Sequence, residues 1–220
     1  MQNIKLLLAT LIATLVLVFG LSWLAENWLA PGETTDPYQK TATNEELLDS
    51  SLHVLGAGEN ATYTIVEFSD YICPACGTVS PQLEALARRY PEQVRLVYRH
   101  FPLQNIHPNA FHLAEIAEAA DSQGKFWETN DFIFANQLSL TDRSEEESLQ
   151  FIIDNAEKIG LNVDQLRASL DSGEPKAKVE EDLRQAEKLQ LSFTPSIFLN
   201  GQLMPIDQIE QKITTELSNQ

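Results

Sequence analysis

An apolar, β-branched run from Tyr63 to Phe68 is followed by two cysteines spaced as Cys73-Pro74-Ala75-Cys76, and then by Val79, Leu83, Leu86 and Ala87 at helical intervals. This order restricts the fold more than any other feature of the 220 residues. A short run bounded by Asn60 and Asp70 suits a buried strand, and the spacing after it suits a helix, so the cysteine pair is expected where one hands over to the other. A thiol at that junction faces free backbone N–H groups and the positive end of the helix dipole, which favour thiolate over thiol. Pro74 fits the first turn, where its missing N–H would have had no partner. Pro81 is expected to kink the same helix, because its ring crowds the carbonyl of Gly77.

Val94 to Tyr98 reads as a second strand, and strand, helix, strand implies a parallel pair joined by a crossover. A helical region follows, over Pro108 to about Ser122, Lys125 to Asn136, Glu145 to Ile159, Val163 to Leu170 and Pro175 to Gln190, punctuated by Gly124, Gly160 and Gly173. Ser144 and Glu147 form a capping-box pattern, and Pro175 suits a first helical position. The acids Glu145 to Glu147 then complement the helix dipole and need no ligand. Asn200-Gly201, between Ser196–Leu199 and Gln202–Met204, signals a tight hairpin, and a last helix covers roughly Ile206 to Leu217. The fold class predicted is α/β: β-α-β, a block of helices, then β-β-α, with an antiparallel edge and a helical insertion at about residues 106–190.

Leu6 to Ala25 is twenty residues without a charge. At about 1.5 Å per residue a helix of that length spans the roughly 30 Å hydrocarbon core. Cleavage after Ala25 or Ala30 would put Trp23 or Trp28 where a signal peptide wants a small residue, so an uncleaved membrane anchor over residues 1–25 is expected. Lys5 before it and Glu26, Glu33 and Asp36 after it leave the N-terminus inside and the remainder outside the cytoplasm. Residues 26–45, with Pro31, Gly32 and Pro37, read as a linker, and 46–220 as one domain of ordinary size. The chain carries −17, of which the part after residue 25 carries −18, since Lys5 is the only charge before it. Such a surface repels phosphate backbones, so nucleic acid is not expected as a partner.

A cysteine pair two residues apart closes a redox disulfide, holds half of a metal site or forms a small structural bridge. Zinc needs four ligands, and beyond the pair there are only His53, His100, His107 and His112, so no metal is expected. A structural bridge here would close a tiny loop and constrain the unfolded chain little. Redox exchange is favoured. Lowering a thiol pKa enlarges the attacking thiolate fraction and makes the sulfur a better leaving group. Cys76, one turn further in, is expected to be less exposed and to resolve mixed disulfides. His107-Pro108 precedes a helix and reads as a turn or cap rather than a base. Phe126 and Trp127 read as core of the insertion.

Four segments together resemble the DsbA-like thiol:disulfide oxidoreductases of the thioredoxin superfamily. They are Glu67-Phe68-Ser69-Asp70-Tyr71-Ile72-Cys73-Pro74-Ala75-Cys76, Phe101-Pro102-Leu103 with His107-Pro108, Gln123 to Glu128, and Phe193-Thr194-Pro195 through Asn200-Gly201. The resemblance covers most of residues 61–217 and implies a thioredoxin fold interrupted by helices. Cys73 is then the attacking sulfur and Cys76 the buried one. Pro195 resembles the family's cis-proline, with Thr194 before it, in a loop that offers backbone groups to a bound peptide. Glu67 matches the family's buried acid, able to take a proton from Cys76. By its residues alone Glu67 would read as a solvated strand position. The Pro74-Ala75 dipeptide lacks the histidine found between the cysteines of the strongest oxidases in that family, which leaves the redox poise open.

The resemblance implies no cofactor beyond the cysteine pair, exported thiol-containing proteins as partners and a quinone-linked membrane protein as reoxidant. Disulfide formation is the expected reaction. A membrane-tethered reductase for cytochrome or metal-site maturation and a chaperone module stand as alternatives. An isomerase does not fit, because residues 26–60 are too few for the separate dimerisation domain such enzymes use.

Overall fold

The computed structural model describes residues 2–28, 36–48 and 53–218. The chain divides into two units, Met1–Asp36 and Pro37–Gln220. The first contains helix α1 (Gln2–Trp28), whose large apolar side chains at Leu11, Phe19 and Trp23 are exposed. Among the described residues no helix is long and apolar enough to cross a membrane, so the structure lends the expected anchor no support.

The second unit runs α2 (Asn44–Leu47), β1 (His53–Gly56), β2 (Tyr63–Ser69), α3 (Pro74–Arg89), β3 (Val94–His100), α4 (Ala110–Asp121), α5 (Phe126–Ala135) and α6 (Gln137–Leu140). It continues through α7 (Glu145–Asp154), α8 (Ala156–Ile159), α9 (Val163–Ser172), α10 (Glu174–Lys188), β4 (Ser196–Leu199), β5 (Gln202–Leu203) and α11 (Ile206–Ser218). The strands form one sheet in the order β1-β3-β2-β4-β5, with β2 and β3 parallel and the other pairs antiparallel. This is the α/β sheet with a helical insertion read from the sequence. α3 continues through Pro81.

Both central strands are buried along their full length, so alternation divides their side chains between two cores. Tyr63 and Ile65 join Val79, Leu83, Ile209 and Ile213 of α3 and α11 on one face. Val66 and Phe68 join Leu47, Ala186 and Leu189 on the other. The hairpin turns at Asn200 (φ 47°) and Gly201 (φ 86°), as the Asn-Gly signal requires. Gly201 is demanded twice over, since a Cβ there would lie 2.4 Å from the carbonyl oxygen of Ala42.

That contact also corrects the linker. Residues 29–35 lie outside the described residues, but from Pro37 onward the chain belongs to the folded unit. Ala42 N donates to Gly201 O at 2.7 Å, Thr41 bridges Gln202, and Leu47 is buried. A Thr43–Glu46 capping box starts α2. Two further differences from the sequence reading lie at short elements. β1 has no apolar run of its own and exists by pairing with β3. The single helix expected over Glu145–Ile159 breaks at Asn155, whose side chain donates to Phe151 O.

Two buried ionic clusters lock the insertion to the sheet. Arg99, fully buried on β3, donates to Asp182 Oδ1 of α10 at 2.7 Å and to Leu47 O at 2.7 Å. Asp182 Oδ2 accepts His100 N at 2.8 Å. Removing one partner of such a pair strands a buried charge, at about 3–5 kcal/mol. Asp182→Ala is therefore expected to lower the urea-unfolding free energy by about 3–5 kcal/mol, and a double variant with apolar residues at 99 and 182 to recover most of it.

Candidate active site

Alternation along β2 places Glu67 on the face that packs against α3, where its side chain has no solvent exposure. Ser69 Oγ donates to Glu67 Oε1 at 2.8 Å, Ser80 Oγ makes a short bond to the same oxygen, and Oε2 has no hydrogen-bond partner. Burial disfavours the carboxylate and pushes the Glu67 pKa up to about 7; the two serine bonds pull the other way, and charge on Cys73 adds to the rise.

Asp70 follows β2 and shapes the turn into α3. Its Oδ1 accepts Ile72 N at 2.7 Å and Cys73 N at 3.2 Å, while its backbone carbonyl accepts Cys73 N at 3.1 Å. Its Oδ2 accepts Leu103 N at 2.8 Å and His107 Nδ1 at 2.9 Å. The carboxylate thus joins the cysteine turn to the segment after β3. The sequence offered a partial signal, because an aspartate two residues before a turn amide makes an Asx turn.

Cys73 occupies the N-cap of α3, with Pro74 as the first helical residue. Pro74 and Ala75 are exposed, Cys73 keeps 8% of its surface open and Cys76 is fully buried. Both cysteines are free thiols. The half-buried Thr194 and Pro195 lie opposite, joined by a cis peptide bond, and Cys73 Sγ donates to Thr194 O at 3.5 Å. Asp70 N donates to Cys76 Sγ at 3.5 Å. All the residues singled out from the sequence therefore meet at one place: Glu67, Cys73, Pro74, Ala75, Cys76, Thr194 and Pro195.

The two sulfurs are driven apart. A hydrogen bond from Cys76 holds the Cys73 thiol well below the ordinary range; burial opposes this, and Thr194 and the N–H groups of Cys76 and Ala75 assist it. Cys76 is pushed far upward, first by burial, then by its bond to Cys73 and by the charge of Glu67. The surroundings favour the thiolate at Cys73, which makes it the better attacking and leaving group, and the protonated thiol at Cys76.

Several contributors escaped the sequence. Gln137 of α6 donates from Nε2 to Tyr71 O at 2.9 Å and Cys73 O at 2.8 Å, tying the insertion to the cysteine turn. Gly77 makes room for it, since a Cβ at 77 would lie 2.5 Å from Gln137 Oε1. Ser69 and Ser80 likewise carried no signal for holding Glu67.

Among the described residues, His53, His100 and Glu118 have donor atoms close enough together to hold a metal ion. Glu118 Oε1 accepts both imidazoles, at 2.6 and 3.1 Å, and Lys178 stands 3.5 Å from Oε2. His53 stacks on Phe126 with ring centroids 3.4 Å apart. The ammonium already balances this carboxylate, and the cluster serves as a second ionic staple among β1, β3, α4 and α10.

A family profile described as Thioredoxin matches residues 50–216. A thioredoxin-like oxidoreductase from Silicibacter pomeroyi superposes with a TM-score of 0.60 at 28% identity, over 80% of this chain and 99% of that one. BdbD of Bacillus subtilis superposes with a TM-score of 0.64 at 20% identity, over 81% and 97% of the two chains, which shows shared fold. In sequence, a Na(+)/H(+) antiporter NhaA 3 of Salinispora tropica is 37% identical over 149 residues, 68% of this chain and 22% of the antiporter. The chain spans less than a third of the curated relatives it matches.

Because the folded-state pKa of Glu67 lies above its ordinary 4.5, the protein is favoured below about that pH and loses stability as pH rises through about 7. Glu67→Gln removes the titration. The stability of the variant relative to wild type is expected to grow by on the order of 3 kcal/mol between pH values of about 4.5 and about 8, in urea titrations of the reduced protein.

Proposed function

The chain belongs to the thioredoxin family, and from that premise we propose that it is a thiol:disulfide oxidoreductase that donates its Cys73–Cys76 disulfide to exported proteins. The observation that carries this reading is the opposed environment of the two sulfurs. A substrate thiolate attacks Cys73 Sγ, the Cys73–Cys76 bond breaks, and Cys76 leaves with the electron pair. Glu67, poised near pH 7 beneath it, supplies the proton that Cys76 retains. A second substrate thiolate then attacks the substrate sulfur of the mixed disulfide. Cys73 departs as a stabilised thiolate, so the substrate gains a disulfide and the protein holds two electrons.

The same asymmetry supports donation over reduction. Each unit by which the Cys73 pKa falls below pH 7 favours the reduced form by about 1.4 kcal/mol, equivalent to about 30 mV in a two-electron couple. Cys76 is protonated in either case and does not offset this. Thr194 and Pro195 present backbone groups beside Cys73 to an extended partner segment. An oxidising, extracytoplasmic compartment suits this chemistry. The uncharged stretch Leu6–Ala25 supports an N-terminal membrane anchor, and a quinone-linked membrane protein is the proposed reoxidant. Sodium–proton exchange is not carried over from the antiporter relatives.

The full chain, equilibrated against glutathione buffers with thiol trapping, is expected to show a reduction potential between about −120 and about −180 mV. A value of about −270 mV or lower would identify a reductase instead. Cys73→Ser is expected to abolish oxidation of a reduced, unfolded secretory protein. Unimpaired assistance to folding by that variant would point to a chaperone.

A further inference from the structure

The dipeptide between the cysteines carries no titratable side chain, yet an incoming thiol must lose a proton before it can attack. A free thiol near pH 7 is only a few per cent thiolate. One imidazole is bonded directly into the cysteine turn: His107 donates from Nδ1 to Asp70 Oδ2 at 2.9 Å, and the other oxygen of that carboxylate accepts Cys73 N at 3.2 Å. With Nδ1 a donor, the neutral ring carries its lone pair on Nε2.

His107 also lines a cavity of about 470 Å³, together with Ile72, Ile106, Pro108 and Arg143. Ile72 is the residue next to Cys73, so one wall of the cavity adjoins the attacked residue in the chain. Ile106 is 66% exposed at its rim. The charged groups facing His107 are Asp70 behind it and Asp142, Arg143 and Glu145 across the cavity. Arg143 is engaged with Ser139 O and the Phe151 ring, so its charge is held on the far wall.

Resting on the oxidoreductase reading, we infer that the Asp70–His107 pair is the proton acceptor for the substrate thiol, and that the cavity seats the apolar neighbour of the reacting cysteine in the partner polypeptide. The substrate S–H gives its proton to His107 Nε2 and its sulfur bonds to Cys73 Sγ. The Cys73–Cys76 bond breaks with its electron pair on Cys76. Asp70 orients the ring and fixes its tautomer while holding the Cys73 amide, so one carboxylate aligns the base with the electrophilic sulfur.

The test is stopped-flow reduction of the oxidised full chain by a short dithiol peptide with a leucine beside one cysteine, followed from pH of about 5.5 to about 9.5. His107→Asn keeps an N–H near the Nδ1 position for Asp70 but has no basic Nε2. Complete base assistance is bounded by the missing thiolate fraction, so a loss of about tenfold is expected at pH 7. The two rates are expected to converge near pH 9.5, where the peptide thiol ionises unaided. Added imidazole is expected to restore the neutral-pH rate of His107→Ala, where sodium chloride of equal ionic strength does not. An unchanged rate in His107→Asn, or the same factor lost at every pH with no imidazole rescue, would overturn the inference and leave the oxidoreductase reading intact. A wild-type disulfide that the peptide does not reduce at any pH would overturn both.

Discussion

A single buried carboxylate holds the site together. Asp70 has only 1% of its surface exposed, and burying a carboxylate costs several kcal/mol unless hydrogen bonds replace its water. Here four N–H donors do so, from Ile72, Cys73, Leu103 and His107. They come from two segments far apart in the chain, so the penalty is met only when the cysteine turn and the loop after β3 are docked on each other. Asp70 takes the amide of Cys73, the N-cap residue of α3, and leaves its sulfur available for exchange.

Glu67, three residues away, is the opposite case. Its donors are two serine hydroxyls that share one oxygen, and the other oxygen has none. Hydroxyl bonds are too few to compensate for burial, and the acid rises toward neutrality. Two buried acids at one strand end thus differ in their donors, four N–H groups against two hydroxyls. The well-supplied one serves geometry, and the poorly supplied one is free to exchange a proton with Cys76.

What the sequence made legible follows from how local each signal is. The strand into Cys73, the helix after it and the Asn200-Gly201 hairpin are set by neighbours in the chain, and all stand where periodicity and turn chemistry put them. Glu67 needed the family resemblance, because a glutamate in a strand gives no sign of which face is buried. β1, α6 and the packing of residues 37–48 were invisible for a common reason: each is a short segment with weak propensity that is stable only against a distant surface. Gln137 is the plainest case, since nothing around it in sequence marks it as a partner for carbonyls more than sixty residues away.

That same contact gives the insertion a part in the chemistry. Thioredoxin-type strands and helices could position Cys73 and Cys76 without it, yet the carbonyls of Tyr71 and Cys73 both accept hydrogen bonds from Gln137 of the insertion. The insertion supplies both from one amide, and Gly77 on the first turns of α3 leaves the space for that amide to approach. The cavity beside Ile72 is walled on its far side by residues 141–145, which follow α6 directly. A four-residue helix therefore fixes the backbone of the reactive turn and the wall facing His107 at once. The helical block thus acts on the cysteines both through this short connecting segment and through its large apolar core, in which Tyr71, Ile72, Cys73 and Cys76 are packed.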